Sequence, residues 1–447
     1  MPNAARNTTA QDPVARAVAQ SKTVAEVLIA PGAIAQTGAL YTRHFTGPAC
    51  LIADENTWAA AGPQAEAALH AAGIATRRHI LPAKPRPKPT VDLANALRDA
   101  LHPGETPVAI GSGVLNDVTK HAAFDADRPY LCIGTAASMD GYTSAGAPLS
   151  DKGFKKTIQC RPARAVLGDL DIIAAAPPAM TGWGYGDLAG KIPAGGDWII
   201  ADTLGVEAID DVAWPLVQGS LRAWLGQPAA IAAGDPAAIS GLFTGLTLVG
   251  LAMELHGSSR PASGADHQIA HLWEMDDLMQ GGERVSHGAC VAVGCTMTLR
   301  LYDWLLAQDL SRLDPALADT APTLDDKIAA ILAAFGPGEI ATRAIEETRA
   351  KHIDRAAHRA RIETLRAEWP RLQTRLRAQL MPADQMRAAL HAAGAPADAA
   401  EIGVDRAYLQ RTTLNARFLR SRYTLLDLLD ETGLLAQAVN ASLPSSS

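Results

Sequence analysis

Three histidines lie in one short stretch of the chain, and their spacing suits a metal site. The segment SSRPASGADHQIAHLWEMDDLMQGGERVSHG, residues 258–288, contains His267, His271 and His287. His267 and His271 are four residues apart, so on a helix both side chains lie on one face, about one turn apart. Two imidazoles from one helix and a third from the next suit a divalent transition metal. The alternative is that all three are ordinary helix-surface or capping residues.

Asp187 is the candidate third ligand, and we expect it early in a new helix. Asp187, His267 and His287 would form a three-ligand site with open positions, as catalytic metal sites do. A metal held in this way polarises a bound hydroxyl and stabilises the alkoxide from which hydride leaves. His256 is an alternative ligand. His271 would then relay a proton or hold the substrate.

The first half of the chain predicts the scaffold for such chemistry. Short apolar runs alternate with helical patterns, which indicates a parallel sheet with helices on both faces. Strands are predicted at 24–30, 48–58, 75–82, 106–113 and 129–138, and helices at 58–72 and 91–102. Two further strands, within 155–173, are expected at the sheet edge. Ligands of such sheets bind beyond the carboxyl ends of the strands.

Three loops leave those carboxyl ends. GSGVLNDVTKHAA, residues 111–123, opens a helix whose glycines and N-terminus could hold a phosphate, although a plain strand–turn–helix junction fits equally well. Asn116 or Asp117 could instead cap that helix. Asp54 could accept hydrogen bonds from an adenosine ribose, or simply cap a turn. TAASMDGYTSAGAPL, residues 135–149, offers hydroxyls to ribose, nicotinamide and substrate, but small residues also suit any buried loop.

Composition limits the function classes. A chain of 447 residues is long enough for two domains. A net charge of −7 and a pI near 5.9 argue against a nucleic-acid surface. The cysteines are odd in number and lie mostly in apolar runs, which indicates buried thiols in a reducing compartment. With no secretion signal and no uninterrupted apolar span, we expect a cytoplasmic protein that does not cross a membrane.

The predicted organisation has four parts: a flexible leader (1–22), a dinucleotide-binding α/β domain (23–178), an all-helical metal and substrate domain (179–438) and a disordered tail (439–447). Helices of the second half are expected around 184–201, 208–225, 235–256, 265–281, 287–308, 325–335, 338–381, 384–394 and 404–434. The segment 338–381 alternates in charge sign, which favours a solvated or intersubunit helix. Its His352 and His358 are expected at the surface.

Several motifs together resemble a known family. GSGVLND, GTAASMDGYTSAGAPL, GWGYGDLAGK, SRPASGADHQIAH and the later HG resemble the bacterial branch of the sn-glycerol-1-phosphate dehydrogenases. The ending SRYTLLDLLD is also similar to this branch, and the ordered motifs span about residues 24–305. The family shares a superfamily with glycerol dehydrogenase, iron-type alcohol dehydrogenases and dehydroquinate synthase. The resemblance therefore implies a dehydroquinate synthase-like fold, with a Rossmann-like α/β domain followed by an all-α domain.

The resemblance also implies an activity, the reversible reduction of dihydroxyacetone phosphate to sn-glycerol 1-phosphate with NADH or NADPH. The implied metal is zinc, with nickel or iron in some relatives. Asp187, His267 and His287 would hold it, Asp140, Asp187 and His271 would contact the substrate, and Asp187 and His271 would be catalytic. The implied cofactor residues are Asp54, Gly113, Val114, Leu115, Asn116, Asp117, Thr135, Ala136, Ala137, Ser138 and Ser144. We expect a homodimer or a higher homo-oligomer.

The chain departs from the family pattern after GYGDLAGK, where it reads IPAGGDW. Pro193 should shorten or kink the helix that carries Asp187. The substrate could therefore be another small polyol or polyol phosphate. A dehydroquinate synthase-like lyase is a second alternative, although that enzyme has glutamate at the position of Asp187. A catalytically silent metal- and NAD-binding scaffold is a third.

Two choices stay open at the sequence level. The substrate phosphate could meet Lys155, Lys156 or Arg260. Asp54 and Glu55 would repel the 2′-phosphate of NADP, but the pair Arg77–Arg78 could offset that repulsion.

Overall fold

The computed structural model describes residues 12–151 and 154–444. The chain forms two compact units, the first of residues Met1–Leu188 and Val212–Ala262, the second of residues Ala189–Asp211 and Ser263–Ser447. The predicted domain boundary after residue 178 lies shortly before residue 189, where the chain first passes from the first unit to the second. Helices of residues 212–256 group with the sheet rather than with the later helices.

The first unit contains eight strands in the described part of the chain. They are β1 (Glu26–Ala30), β2 (Ala49–Asp54), β3 (Thr76–Leu81), β4 (Thr106–Gly111), β5 (Leu131–Gly134), β6 (Gly146–Asp151), β7 (Phe154–Gln159) and β8 (Ala165–Asp169). Six form a parallel sheet in the order β1-β8-β5-β4-β2-β3, and β6 and β7 form a separate antiparallel hairpin. The predicted parallel sheet is confirmed. The two strands predicted within 155–173 are present as β7 and β8. Their expected position at the sheet edge was wrong, because β7 pairs with β6 in the hairpin and β8 pairs inside the sheet with β1 and β5.

Helix α1 (Pro13–Val18) precedes β1. The helices that connect or follow the strands are α2 (Thr37–His44), α3 (Glu55–Ala71), α4 (Val91–Asp99), α5 (Gly113–Asp125), α6 (Leu170–Ala174) and α7 (Pro178–Ala189). After α8 (Lys191–Thr203), which belongs to the second unit, four helices complete the first: α9 (Ala213–Gln218), α10 (Leu221–Trp224), α11 (Pro228–Ala232) and α12 (Pro236–His256). The apolar strand residues Leu51, Val108 and Leu131 are completely buried in the core. Burying them drives the helices onto the sheet.

The second unit is helical apart from a short hairpin, β9 (Met279–Gln280) and β10 (Glu283–Arg284). Its other helices are α13 (Ala265–Met275), α14 (His287–Leu306), α15 (Leu324–Phe335), α16 (Glu339–Lys351), α17 (Arg355–Gln379), α18 (Ala383–Ala392), α19 (Arg406–Asn415), α20 (Leu425–Glu431) and α21 (Leu435–Ser442). Single 3-10 turns lie at Ala33–Gln36 in the first unit and at Leu310–Arg312, Pro315–Asp319, Ala399–Ile402 and Ala416–Leu419 in the second. The predicted α/β part followed by a helical part is confirmed.

Several predicted helices are broken in the structure. The segment 338–381 forms α16 and α17, separated at residues 352–354, where Asp354 caps α17. The segment 404–434 forms α19, a 3-10 turn and α20, and the helix predicted to residue 281 ends at Met275. A helical pattern indicates that a helix exists more reliably than where it ends, so these breaks were not predicted.

Both chain ends are more ordered than predicted where they are described. Within the predicted leader, α1 buries Val14 and Ala17, whereas residues 1–11 lie outside the described part. Within the predicted tail, α21 continues to Ser442 and buries Val439, and residues 445–447 lie outside the described part. The apolar residues at both ends pack into the units, which explains the difference.

The charged helix α17 is not simply solvated. Its Ile362, Leu365, Trp369, Leu372 and Leu376 are buried, so one face packs within the second unit. His358 is also buried, with Nε2 2.9 Å from the carbonyl oxygen of Glu431. The prediction of a surface position for His358 was therefore wrong, because the charged face conceals a regular apolar stripe.

Two helices, Pro236–His256 and His287–Leu306, are long and apolar enough to span a membrane by length and composition. Most of each is buried inside the structure, as in the core helices of a globular fold. Cys50, Cys132, Cys160, Cys290 and Cys295 are free and buried, as predicted. Burial raises the pKa of the Cys132 thiol to about 12, so it stays protonated and unreactive.

Candidate metal and cofactor site

The three histidines of the opening motif meet in the second unit. His267 and His271 project from α13, and His287 is the first residue of α14. The ring centroids are 5.9 Å apart for His267 and His271, 5.5 Å for His267 and His287, and 5.6 Å for His271 and His287. The sequence prediction that a neighbouring helix returns the third imidazole agrees with this arrangement.

Asp197 of α8 fixes the start of α13. Its completely buried carboxylate accepts hydrogen bonds from the backbone N–H of Ala265 at 2.6 Å, the hydroxyl of Tyr302 at 2.6 Å and the backbone N–H of Leu425 at 2.9 Å. A Cβ at Gly264 would overlap this carboxylate, so the glycine of SRPASG permits the close approach. Asp197 lies in the unusual IPAGGDW segment, which thus has a structural role.

Close packing of α13 against α14 brings the imidazoles together. Gly294 on α14 lies so near the backbone of Asp266 that an added Cβ would overlap the Asp266 carbonyl oxygen. The apolar positions around it, Cys290, Val291 and Leu299, are buried. The long apolar run after His287 therefore buries α14 directly beside the histidine-bearing helix.

Each of the two proposed histidine ligands has a carboxylate partner. Nδ1 of His267 lies 2.7 Å from Oδ2 of Asp266, and Nδ1 of His287 lies 2.6 Å from Oε1 of Glu274. An ionised carboxylate only accepts hydrogen bonds, so each Nδ1 donates, and in the neutral ring Nε2 is then the nitrogen with the lone pair. Two imidazoles held through Nδ1 in this way fit a divalent transition metal such as zinc. The ligand atoms of His271, Glu274 and His287 also lie within 4.8 Å of one another.

In the first unit, helix α5 and the loop after β5 form the candidate cofactor site. Thr135 N–H donates to the carbonyl oxygen of Gly111 at 3.1 Å, which sets the loop beside the start of α5. Asn116 donates from Nδ2 to the Gly141 carbonyl at 3.0 Å, and its Oδ1 accepts from the Tyr130 hydroxyl at 3.0 Å. The prediction that Asn116 or Asp117 caps α5 was wrong. Ser112 occupies the N-cap position.

The side chain of Lys120, on α5, holds residues 141–146 of this loop in place. Its completely buried ammonium donates to the carbonyl oxygens of Gly141 at 3.0 Å and Gly146 at 2.8 Å, and to the hydroxyl of Ser144 at 3.2 Å. Asp117 lies 3.4 Å away and balances the charge. Ser144 and Asp117 therefore support the loop in this structure, and contact with a cofactor stays a prediction for both.

Asp140 and Asp187 are neighbours in the first unit. The backbone N–H of Asp140 donates to Oδ2 of Asp187 at 3.0 Å, and the Asp187 side chain is completely buried. A Cβ at Gly184 would overlap the carbonyl oxygen of Ala137, so α7 packs directly on the 135–138 loop.

The expected position of Asp187 early in a helix was wrong, because it lies near the end of α7. The helix stops at Ala189 and α8 begins at Lys191, so the interruption precedes Pro193. Pro193 has no N–H for the carbonyl oxygen of Ala189, which agrees with an interrupted helix.

Asp54 ends β2 and caps α3, with its Oδ1 accepting from the Thr57 N–H at 2.8 Å and its own N–H donating to the Thr57 hydroxyl at 3.0 Å. One carboxylate oxygen therefore serves the cap, and a carboxylate can accept further bonds. Ribose binding by Asp54 stays a prediction.

The two arginines beyond the next strand are already paired. Arg77 donates from Nε and Nη2 to Glu105, both at 2.6 Å, and Arg78 donates from Nε to Glu66 at 2.9 Å. These pairs lower the pKa of both glutamates. Both guanidinium groups already pair with a glutamate, so neither is an unpaired cation for the 2′-phosphate of NADP.

Two of the three candidate partners of the substrate phosphate, Lys156 and Arg260, have described side chains. Lys156 pairs with Asp151 at 2.6 Å in the β6–β7 hairpin, and Arg260 is buried. The side chain of Lys155 lies outside the described part. His256 ends α12 before Gly257 in the left-handed conformation, as predicted.

The sequence prediction missed Asp266, Glu274 and Lys120. Asp266 directly precedes His267, and Glu274 lies three residues after His271, so both could have been found as acidic neighbours of the histidines. Lys120, inside an apolar helix, was recognisable only as a cation that needs buried partners.

Comparisons with known proteins agree with this fold. The family model for iron-containing alcohol dehydrogenase matches residues 28–177. The chain is similar to glycerol dehydrogenase from Schizosaccharomyces pombe, with a TM-score of 0.59 and 14% identity over 95% of this chain and 94% of that one. NADH-dependent butanol dehydrogenase A from Thermotoga maritima gives a TM-score of 0.59 and 13% identity over 95% and 98%. The fold is thus that of the iron-type alcohol dehydrogenases, as predicted.

Sequence relatives identify the family within this class. Glycerol-1-phosphate dehydrogenase from Bacillus subtilis is 31% identical over 391 residues, which cover 86% of each chain. The protein of the same name from Bacillus velezensis is 35% identical over 269 residues, 59% of this chain and 68% of that one. The chain therefore belongs to the glycerol-1-phosphate dehydrogenase family, whose members are NAD(P)-dependent oxidoreductases acting on a CH–OH group.

Proposed function

We propose that this protein reversibly reduces dihydroxyacetone phosphate to sn-glycerol 1-phosphate with NADH or NADPH and a bound divalent metal. The observation that carries the proposal is the group of three imidazoles in the second unit, two of them with Nδ1 committed to carboxylates. The identity to the Bacillus subtilis relative over most of both chains supports the substrate assignment.

The proposed metal ligands are Asp187, His267 and His287, and the proposed metal is zinc, with nickel or iron as alternatives. When bound, the metal supplies a positive charge that polarises the ketone oxygen of the substrate. A carboxylate and two neutral imidazoles leave the ion net positive, as this role requires.

The proposed reaction transfers a hydride from the nicotinamide to the ketone carbon and a proton to the ketone oxygen. His271 is the proposed proton donor, since its half-buried imidazole lies beside the rings of His267 and His287. Asp140 and Asp187 are proposed to orient the substrate hydroxyls. Their hydrogen bond holds the two residues in a fixed relation.

The dinucleotide is proposed to bind at the carboxyl ends of β2, β4 and β5. The first turn of α5, from Gly113 to Asp117, would hold the pyrophosphate through backbone N–H groups. Residues 135–138 and Ser144 would line the remainder of the dinucleotide, and Asp54 would accept from the ribose. Because Arg77 and Arg78 are paired with Glu105 and Glu66, we propose a preference for NADH over NADPH.

We also propose that the protein is a homo-oligomer that acts in the cytoplasm. The five buried free cysteines support a reducing compartment.

A substrate panel on metal-analysed protein tests the function. Dihydroxyacetone phosphate should consume NADH with a higher kcat/KM than NADPH, and His267→Ala should lose both bound metal and turnover. Glu363→Ala, at an exposed position of α17, is the control and should keep both. Metal-replete protein contradicts the proposal if it neither oxidises NADH with any ketose or ketose phosphate nor reduces NAD+ with any polyol or polyol phosphate. Turnover of a sugar phosphate without net NADH consumption would instead indicate a lyase.

A further inference from the structure

Helix α13 carries two carboxylates that face the two proposed histidine ligands. Asp266 lies 2.7 Å from Nδ1 of His267, and Glu274 lies 2.6 Å from Nδ1 of His287. The first pair is adjacent in sequence, whereas the second joins α13 to the first residue of α14. The same arrangement, a carboxylate bonded to Nδ1 of a histidine, is therefore formed twice by different parts of the sequence.

Both carboxylates are restrained. Asp266 is completely buried, and its other oxygen, Oδ1, accepts the Gly264 N–H at 3.1 Å. The Glu274 side chain is 10% exposed, and its second oxygen, Oε2, lies 3.9 Å from Nε2 of His271. Neither group behaves as a solvated surface acid, so the energy of its hydrogen bond to imidazole is not lost to water.

We propose that Asp266 and Glu274 are positioning residues, which keep Nδ1 of His267 and His287 protonated so that both rings present Nε2 to the metal. The inference rests on the proposed function, because it assigns these histidines to a metal. A free imidazole divides between two tautomers and rotates about its side-chain bonds. A carboxylate on Nδ1 selects one tautomer and one ring orientation, and such partners change metal affinity 10–100-fold.

Glu274 contacts two of the three histidines, one through each carboxylate oxygen. Because one of its oxygens holds His287 and the other faces His271, the carboxylate fixes the separation between a proposed ligand and the proposed proton donor. Its removal should therefore affect turnover through two histidines, whereas Asp266 contacts one histidine ring, that of His267. Glu274 is also the better site to test, since Asp266 additionally holds the start of α13.

The experiment compares wild type, Glu274→Ala, Glu274→Gln and the exposed control Glu363→Ala as full-length proteins. Zinc affinity is measured by competition with a chromophoric chelator. Glu274→Ala should weaken zinc binding about 10–100-fold. Glu274→Gln, whose amide oxygen can still accept from Nδ1, should recover most of the affinity, and Glu363→Ala should match wild type. Equal zinc affinity of Glu274→Ala and wild type overturns the inference.

Two further measurements separate positioning from other roles. Nitrogen NMR of labelled histidine in metal-free protein should show Nδ1-protonated His287 in wild type and a mixture of tautomers in Glu274→Ala. An unchanged tautomer overturns the inference even when no metal is present. X-ray absorption of zinc-loaded Glu274→Ala should retain the wild-type ligand number, and loss of an oxygen ligand would make Glu274 a direct ligand and overturn the positioning role.

The zinc titration also distinguishes this inference from the proposed function. Wild-type protein that binds no divalent metal contradicts the metal-dependent function and the role of the carboxylates together. Wild-type protein that binds zinc and reduces dihydroxyacetone phosphate, with Glu274→Ala unchanged in both, contradicts only the positioning role. Asp266→Asn provides a second case. Its single amide oxygen cannot accept from both Gly264 and His267, so weaker zinc binding is expected, and unchanged binding contradicts the role of Asp266.

Discussion

At the scale of single residues, Lys120 organises the candidate cofactor loop. A completely buried ammonium is costly unless it is paired and fully hydrogen-bonded, and Lys120 meets that condition with two carbonyls, a hydroxyl and a carboxylate. All of these partners lie within α5 or between residues 141 and 146. One side chain thus connects the helix proposed to hold the pyrophosphate to the loop proposed to line the rest of the dinucleotide.

Lys120→Met should lower the free energy of unfolding by about 3 kcal/mol, because it leaves the carbonyls of Gly141 and Gly146 without their charged donor. It should also weaken NADH binding, since the loop loses its support. Chemical denaturation and fluorescence titration measure the two effects. The control Lys156→Met removes a half-exposed ion pair with Asp151 and should change stability by less than about 0.5 kcal/mol. Equal effects of the two variants would contradict the role given to Lys120.

Chemically distinctive residues could be predicted from the sequence more easily than the residues that hold them in place. His267, His271 and His287 were recognisable because imidazoles at helical spacing are uncommon. Asp266 and Lys120 support the two sites through contacts made only after folding, and their residue types have many other uses at those positions. Asp54 was ambiguous for the same reason, since an aspartate at a strand end can cap a helix, as it does in the structure, or accept from a ribose.

At the scale of elements, the site in the second unit depends on how closely α13 and α14 approach. Gly294 permits the approach, since its position faces the Asp266 carbonyl oxygen. The pair of helices was predictable from two apolar runs, but the contact at Gly294 was not, because a glycine within a helix has several explanations. The breaks at residues 352–354 and after Asn415 were also missed, since the ends of an element are harder to predict from sequence than its existence.

Gly294→Ala should separate the two helices, lower the free energy of unfolding by about 2 kcal/mol through overpacking, and weaken zinc binding. Zinc binding should weaken because His267 lies on α13 and His287 on α14, so separating the helices separates the two proposed ligands. Gly241→Ala in α12 is the matched control, because its Cβ would meet only Trp224, at 3.9 Å. A helical alanine there should raise stability by up to about 1 kcal/mol. Thermal unfolding and zinc competition measure both variants, and unaltered zinc affinity in Gly294→Ala would contradict the argument.

At the scale of the whole molecule, acid sensitivity follows from how the carboxyl groups are paired. The chain has 47 acidic and 40 basic side chains, and several carboxylates bond to arginine. Hydrogen bonds from Arg77, Arg78 and Arg387 lower the pKa values of Glu105, Glu66 and Asp398. A depressed pKa stabilises the fold above the unfolded value, and that contribution is lost as pH falls.

Burial acts in the opposite direction at a few carboxyl groups. It raises the pKa of Glu431, which lies near Arg361 and Tyr423, and that of Glu254. A raised pKa favours the fold below the unfolded value, and this contribution is lost as pH rises. Lowered and raised pKa values have opposite effects on stability as pH falls, and these effects partly cancel. The loss of stability in acid therefore depends mainly on the carboxylates that pair directly with arginine. Among them Glu105 is distinctive, with a side chain only 5% exposed.

Glu105→Gln should isolate this effect. The Glu105 pair joins β3 to the residue before β4 across β2, since Arg77 and Pro107 both pair in register with Cys50. At pH 7 the variant should be about 2 kcal/mol less stable than wild type, because a charged, bidentate acceptor is replaced by an amide. As pH falls through the ordinary glutamate value of 4.5 towards the depressed value, wild type alone loses this contribution and the difference should shrink. Denaturant unfolding from pH 7 to pH 3 measures it, with exposed Glu363→Gln expected to match wild type throughout. A difference that stays constant with pH would show that the substitution acts through packing rather than through ionisation of Glu105.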